Sequence, residues 1–288
     1  MNPTPYRALR VAMALILGAM LIAPAGAATL DQIRQRGTVR IAVANEIPYG
    51  FLDFSGNAQG AGPEVATAVL ERMGLERIEW IATAFSSLIP GLKADRFDMV
   101  AAEMAILPQR CREVAFSTPN SSYGEGLLVA AGNPKNIHNY RAFAEREDLT
   151  VAIMAGADQL EMLQALGVPQ QRMVMIGANA DAIAAVSSGR ADAYAATGLT
   201  VADLAGKSDR VEAVQDFEDP VIDGETVRSW GAFAFNAAST DFREAFDAAL
   251  AEFKQTEEWR AILERHGFNE TDLEASFARS TEELCAVE

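Results

Sequence analysis

Residues 99–102, Met-Val-Ala-Ala, form an apolar run with no polar alternation, set between two stretches of helical spacing. A strand of that kind must be covered on both faces, and the usual solution is a parallel strand in an α/β layer. Upstream, Ser86 and Ser87 read as N-cap residues for a short helix carrying Leu88, Ile89 and Leu92, with Pro90 in its first turn. Downstream, Pro108 opens another helix. Arg110 therefore projects from a helical first turn, just past the C-terminal end of a strand and close to free backbone N–H groups. Such a place favours a carboxylate, although pairing with a surface acid would account for the same arginine.

The same alternation runs through the chain twice. Residues 29–36 suggest a lead-in helix, TVRIAVA (38–44) a strand, 63–73 a helix and 78–83 a second strand. Asp53, Gly56 and Gly60 mark a polar hairpin-like turn between them. After an apolar strand at 126–130 the pattern restarts, with strands at 149–154, 173–176 and 192–196 and helices at 159–166 and 180–187. A strand returns at 228–235, and the remainder is helical. Asp241 there caps a stripe of Phe242, Phe246, Leu250 and Phe253, and Thr256 caps Trp259, Ile262 and Leu263. This predicts an α/β protein of two lobes, each a doubly wound sheet with its ligand crevice at the strand ends. Lobe I takes 28–128 and 232–288, lobe II is the inserted 129–231, and two strands near 128 and 232 cross between them as a hinge.

Arg7 and Arg10, an apolar stretch over 11–23 and the small residues Ala25, Gly26 and Ala27 read as a secretory signal cleaved after Ala27, giving an exported, periplasmic protein. Its removal from 288 residues leaves 261, enough for two cores, and takes away two arginines from a chain of net charge -16. So acidic a protein is a poor partner for nucleic acid. The two cysteines, Cys111 and Cys285, belong to a compartment that permits disulfides; a bond between them would staple the C-terminal tail to the helix bearing Arg110, and two buried free thiols are the alternative. The two histidines, His138 and His266, have no neighbours suited to a metal site or a catalytic triad. With no phosphate loop, dinucleotide fingerprint or nucleophile elbow either, a binding role is a better reading than an enzyme, without metal or cofactor.

The crevice candidates stand at strand ends: Glu46 and Tyr49 after the first strand, Phe85 after the second, and Glu103, Ala105 and Arg110 at the third. In the second lobe the corresponding places are Ala155 to Gln159, which include Asp158, and Thr197. Glu46 suits a cation, and Tyr49 and Phe85 offer it aromatic faces, although packing between the lobes would also explain the two rings. Asp158 is equally placed to cap a helix.

On these residues the chain resembles the exported solute-binding proteins of the polar-amino-acid type, family 3, the receptor subunits of ABC importers. The resemblance spans essentially all of the sequence after the export signal. It is carried by the Glu46 loop, the turn with Phe51, Asp53 and Gly56, the LIPGL-K-x-x-RFD stretch, PQRC at 108–111 and FSTP at 116–119. It implies the two-lobed periplasmic-binding-protein fold of type II, a small zwitterionic ligand, membrane permease subunits as partners and a monomeric receptor. ANEIPYG, AGNPKN and the terminal Cys285 are further similar to the ectoine and hydroxyectoine receptors. That similarity implies Glu46 facing the ring nitrogens of the ligand, aromatic walls from Tyr49 and Phe85, and Arg110 on the carboxylate. Ala105 stands where that group places a third aromatic wall, Asp158 where it has a threonine, Leu107 lacks a hydroxyl, and Glu103 replaces a glycine. Thr197 occupies the place where receptors for α-amino acids usually carry an aspartate for the ammonium. A polar amino acid or another compatible solute is the alternative ligand, and a dehydratase-like enzyme on the same fold a remoter one.

Overall fold

The computed structural model describes residues 27–286. The expected export signal falls, apart from Ala27, outside the described residues. Two mixed sheets organise the chain. In the first, the order is Ile78–Ala82, Val39–Val43, Met99–Ala105, Ser229–Asn236 and Val114–Phe116, with Ser121–Tyr123 also pairing with Ser229–Asn236. The second runs Met173–Ile176, Val151–Met154, Ala193–Thr197, Glu125–Ala130 and Val211–Ala213. The expected strand at 99–102 thus extends to Ala105 and is buried throughout, parallel to Val39–Val43 on one side and antiparallel to Ser229–Asn236 on the other.

The chain passes between the sheets at defined points. Only Gly124 separates Ser121–Tyr123 of the first sheet from Glu125–Ala130 of the second, and the return comes at Ser229. The strands expected to cross near 128 and 232 therefore each stay within one sheet. Antiparallel pairing with Ala193–Thr197 already begins at Glu125, and pairing with Tyr123 begins at Ser229.

Local chemistry explains most elements. Thr29 caps Leu30–Arg36 in a reciprocal capping box with Gln32, and Thr256 accepts from the Trp259 N–H to start Glu257–Arg265. Asp241 does not cap its helix, Thr240–Phe253; its Oδ2 accepts the Leu30 N–H at 2.8 Å and ties that helix to Leu30–Arg36. Nor do Ser86 and Ser87 cap with their side chains, because Phe85–Ser87 forms a 3-10 turn that runs straight into Leu88–Lys93. In the LIPGL and RFD stretches, Gly91 lets Phe97 lie against the helix backbone: a Cβ on Gly91 would sit 2.3 Å from the ring. Buried Asp98 accepts the Arg40 N–H and guanidinium at 2.8 Å each and pairs with Arg36, fixing the first helix to the sheet.

The aromatic stripe expected in the C-terminal helices is core. Phe233 stacks edge-on to Phe246 and Phe235 to Phe242, with centroids 4.9 and 5.3 Å apart. Each fully buried phenylalanine contributes on the order of 2–3 kcal/mol. A separate cluster around Leu127, Tyr140, Ile153 and Tyr194 fills the second lobe.

Candidate functional site

The cleft between the lobes is held shut by side chains from both. The loop after Val39–Val43 is closed by reciprocal backbone bonds between Glu46 and Gly50, at 3.0 and 2.8 Å. This presents the Glu46 side chain to the second lobe, where its Oε1 accepts from Asn179 Nδ2 at 3.1 Å. Asn179 is oriented in turn by the hydroxyl of Tyr194, which donates to its Oδ1. Glu46 is buried, and that desolvation pushes its carboxyl up to about 7; the Asn179 bond and Arg110 oppose the rise, while Asp158 adds to it.

Three residues on, Tyr49 reaches the same lobe. Its hydroxyl donates to Thr197 Oγ1 at 2.7 Å, and Thr197 also caps Gly198–Ala205. Burial drives the tyrosine hydroxyl well above its ordinary range, with Glu46, Glu125 and Asp158 adding to it. The ring of Tyr49 packs against Tyr123 and Phe268, with centroids at 5.1 and 6.0 Å. It belongs to the first lobe's core as much as to the cleft.

Arg110 lies in the short helical turn Pro108–Cys111, preceded by Leu107 in extended conformation. Its Nη1 donates to the Ala105 carbonyl and its Nη2 to the Gly156 carbonyl, each at 2.9 Å. Arg110 therefore spans the cleft, and Ala105 takes part through its backbone. Gly156 has φ +88°, and a Cβ there would stand 3.0 Å from Ser86 Cα, so a glycine is needed for this approach of the lobes. The Phe85 ring lies 5.5 Å from the guanidinium carbon of Arg110. Cys111 forms the disulfide with Cys285, S–S 2.02 Å, so the two thiols are not free.

Asp158 occupies the residue before Gln159–Ala165, but its backbone is already helical and its side chain makes no cap. Its Oδ2 instead accepts from Ser229 Oγ at 3.0 Å, at the point where the chain re-enters the first sheet. A cavity of about 460 Å³ opens beside Asp158 and Ser229 and is bounded by Leu107 and Trp230.

Glu103 joins a different network. Its Oε1 accepts from Asn120 Nδ2 at 2.7 Å and its Oε2 from Ser121 Oγ, with Lys254 nearby. A left-handed φ of +47° at Glu103, beside the register shift between Ala232 and Ala234, accompanies this placement. Burial raises its carboxyl, against the pull of Ser121, Asn120 and Lys254. The structure thus gathers Glu46, Tyr49, Phe85, Arg110, Asp158 and Thr197 at one cleft and sets Glu103 apart. It also brings in Gln159, the last of the expected 155–159 stretch, together with Glu125 and Asn179, which strand and helix patterns alone did not single out. An acid at the head of the apolar run GLLVA was the available signal for Glu125.

Comparison with known proteins gives four likenesses. The family of bacterial extracellular solute-binding proteins, family 3, matches residues 39–270. A probable amino-acid ABC transporter periplasmic-binding protein of Sinorhizobium fredii is 52% identical over 277 residues, 96% of this chain and 91% of the relative. The crystal structure of EhuB in complex with hydroxyectoine superposes with a TM-score of 0.81 at 28% identity, over 90% of this chain and 98% of that one. An ancestral amino acid-binding protein, a precursor of cyclohexadienyl dehydratase, gives 0.71 at 26% identity over 83% and 99% of the two chains.

Proposed function

This chain belongs to the bacterial extracellular solute-binding proteins, family 3, and from that membership we propose that it is the periplasmic receptor of an ABC importer, capturing a small zwitterionic solute of the polar amino-acid type. The export signal at 1–27 is removed after Ala27, and the mature protein acts as a monomer that delivers its ligand to membrane permease subunits. The name of the 52% identical relative supports the amino-acid class.

One observation carries the reading: Glu46 and Arg110, of opposite charge, stand at the same interlobe cleft and each already bonds to the second lobe. A ligand carboxylate takes the remaining N–H groups of Arg110, and a cationic nitrogen faces Glu46. Closure removes water from both pairs and strengthens them. Opening swings the lobes about the crossings at Gly124 and before Ser229.

Ectoine or hydroxyectoine is the second reading, favoured by the likeness to the hydroxyectoine-bound structure and by Phe85 beside Arg110. Packing of Tyr49 against Tyr123 and Phe268 leaves less aromatic surface for a ring-shaped cation than that reading calls for.

The test is a thermal-shift panel on protein stripped of ligand by unfolding and refolding. It contains ectoine, hydroxyectoine, glycine betaine, proline, and acidic, basic and neutral amino acids. A ligand at a hundred times its dissociation constant adds about 2.7 kcal/mol and raises the melting temperature. A shift with amino acids alone supports the first reading, one with the ectoines alone the second, and none with any of them removes both.

A further inference from the structure

Glu125 opens the Glu125–Ala130 strand and is 6% exposed. Its Oε2 accepts from Gln159 Nε2 at 2.6 Å and from the Tyr140 hydroxyl at 3.2 Å. Its Oε1, by contrast, is the one buried side-chain nitrogen or oxygen without a hydrogen-bond partner among the described residues. A carboxyl oxygen taken from water and given no donor costs free energy, and a site that keeps such an atom has a use for it.

Register says where the group sits. Glu125 pairs directly with Thr197 across the antiparallel ladder, and Thr197 receives the Tyr49 hydroxyl from the opposite lobe. Gln159, its hydrogen-bond partner, follows Asp158. Asp158 and Tyr49 are both within electrostatic reach of the Glu125 carboxyl. Charge then narrows the occupant. Three acids, Glu46, Asp158 and Glu125, surround the cleft with one guanidinium, and two N–H groups of Arg110 are committed to backbone carbonyls. A simple zwitterion brings one cationic nitrogen to these carboxyls; a solute with a further cationic nitrogen can ionise a second of them and pair with it.

Resting on the receptor reading above, we propose that Glu125 contacts the ligand and determines specificity, its free Oε1 receiving a cationic nitrogen of a small carboxylate solute that carries a second positive charge. Burial, with Asp158 and Asp219 nearby, pushes the Glu125 carboxyl well above the usual carboxylate range, so an arriving cation is what draws it into its ionised form.

Titration calorimetry with L-arginine and L-citrulline tests this, since the two differ in the charge of the terminal group and little in shape. Ligand-stripped wild type is expected to bind arginine about tenfold or more tightly than citrulline. In E125Q, with folding checked by circular dichroism, arginine affinity falls by about tenfold or more and the preference shrinks. Wild type that binds the two alike overturns the proposal. So does E125Q that matches wild type for arginine, the result expected if Glu125 stays protonated and donates, because glutamine also donates. Should E125Q not fold, the wild-type comparison decides. Binding of citrulline, glutamine or ectoine without arginine overturns the role of Glu125 and leaves the receptor reading standing; binding of none of them removes both.

Discussion

The Tyr49 hydroxyl donates to Thr197 Oγ1 at 2.7 Å, and the two residues stand 148 positions apart in different lobes. The bond exists only when the lobes are together, so it stabilises the closed form and not the fold of either lobe. Tyr49→Phe keeps the ring against Tyr123 and Phe268 and removes about 1 kcal/mol of closure. The expected outcome is about fivefold weaker ligand binding by calorimetry with little change in the ligand-free melting temperature. A melting temperature lowered as much as the affinity would place the bond's role in folding.

Arg110 does two jobs with one planar group, bonding the carbonyls of Ala105 and Gly156 while keeping N–H groups for a ligand carboxylate. Lysine keeps the charge and loses the fork, so it cannot serve both lobes and a ligand together. Arg110→Lys is expected to weaken binding by about tenfold and Arg110→Ala by about a hundredfold, with far-UV circular dichroism unchanged. Undiminished affinity in Arg110→Ala would remove the arginine as the anchor.

The alternation of strand and helix was legible because each element satisfies a local rule: apolar continuity at Met99–Ala105, the cap at Thr256, the stripe from Phe242 to Phe253. Short strands such as Val114–Phe116 and Ser121–Tyr123 were not, since only pairing with Ser229–Asn236, over a hundred residues later, makes them strands. The site divides the same way. Glu46 and Arg110 announce themselves as charges at strand ends, whereas Asn179 acquires its role from a partner in the other lobe and Glu125 from register with Thr197. Glu103, expected at the crevice, has its carboxylate taken up by Asn120 and Ser121, partners that residue type and strand position do not reveal.

The Cys111–Cys285 bond closes a loop with a sequence separation of 174. In the chain-entropy model that stabilises the fold by at most about 5 kcal/mol through the unfolded state. The bond also pins Thr281–Cys285 against the turn that carries Arg110. Reduction, or C111S combined with C285S, is expected to lower the melting temperature by several degrees and to release amide protection first in Thr281–Cys285. Protection lost uniformly across both lobes would show that the tail is not an independent unit.

Glu46 makes the closed cleft sensitive to pH. Its carboxyl, ordinarily near 4.5, is held at about 7 chiefly by burial. Below the lower value it is neutral folded or unfolded and contributes no difference. Between the two, the closed protein keeps a proton that the unfolded chain has lost, so stability falls as pH rises, by at most about 3 kcal/mol, and levels off above 7. Opening the lobes returns Glu46 to water and removes the same penalty. The ligand-free protein is therefore expected to become more open between pH 5 and 8, read as a larger radius of gyration in solution scattering. A bound cation offsets the ionised carboxylate and suppresses the change. In Glu46→Gln, where the side chain still accepts from Asn179 and carries no charge, both the stability slope and the opening should flatten. An unchanged slope in that variant would assign the titration to another group, with Glu125 the next to replace.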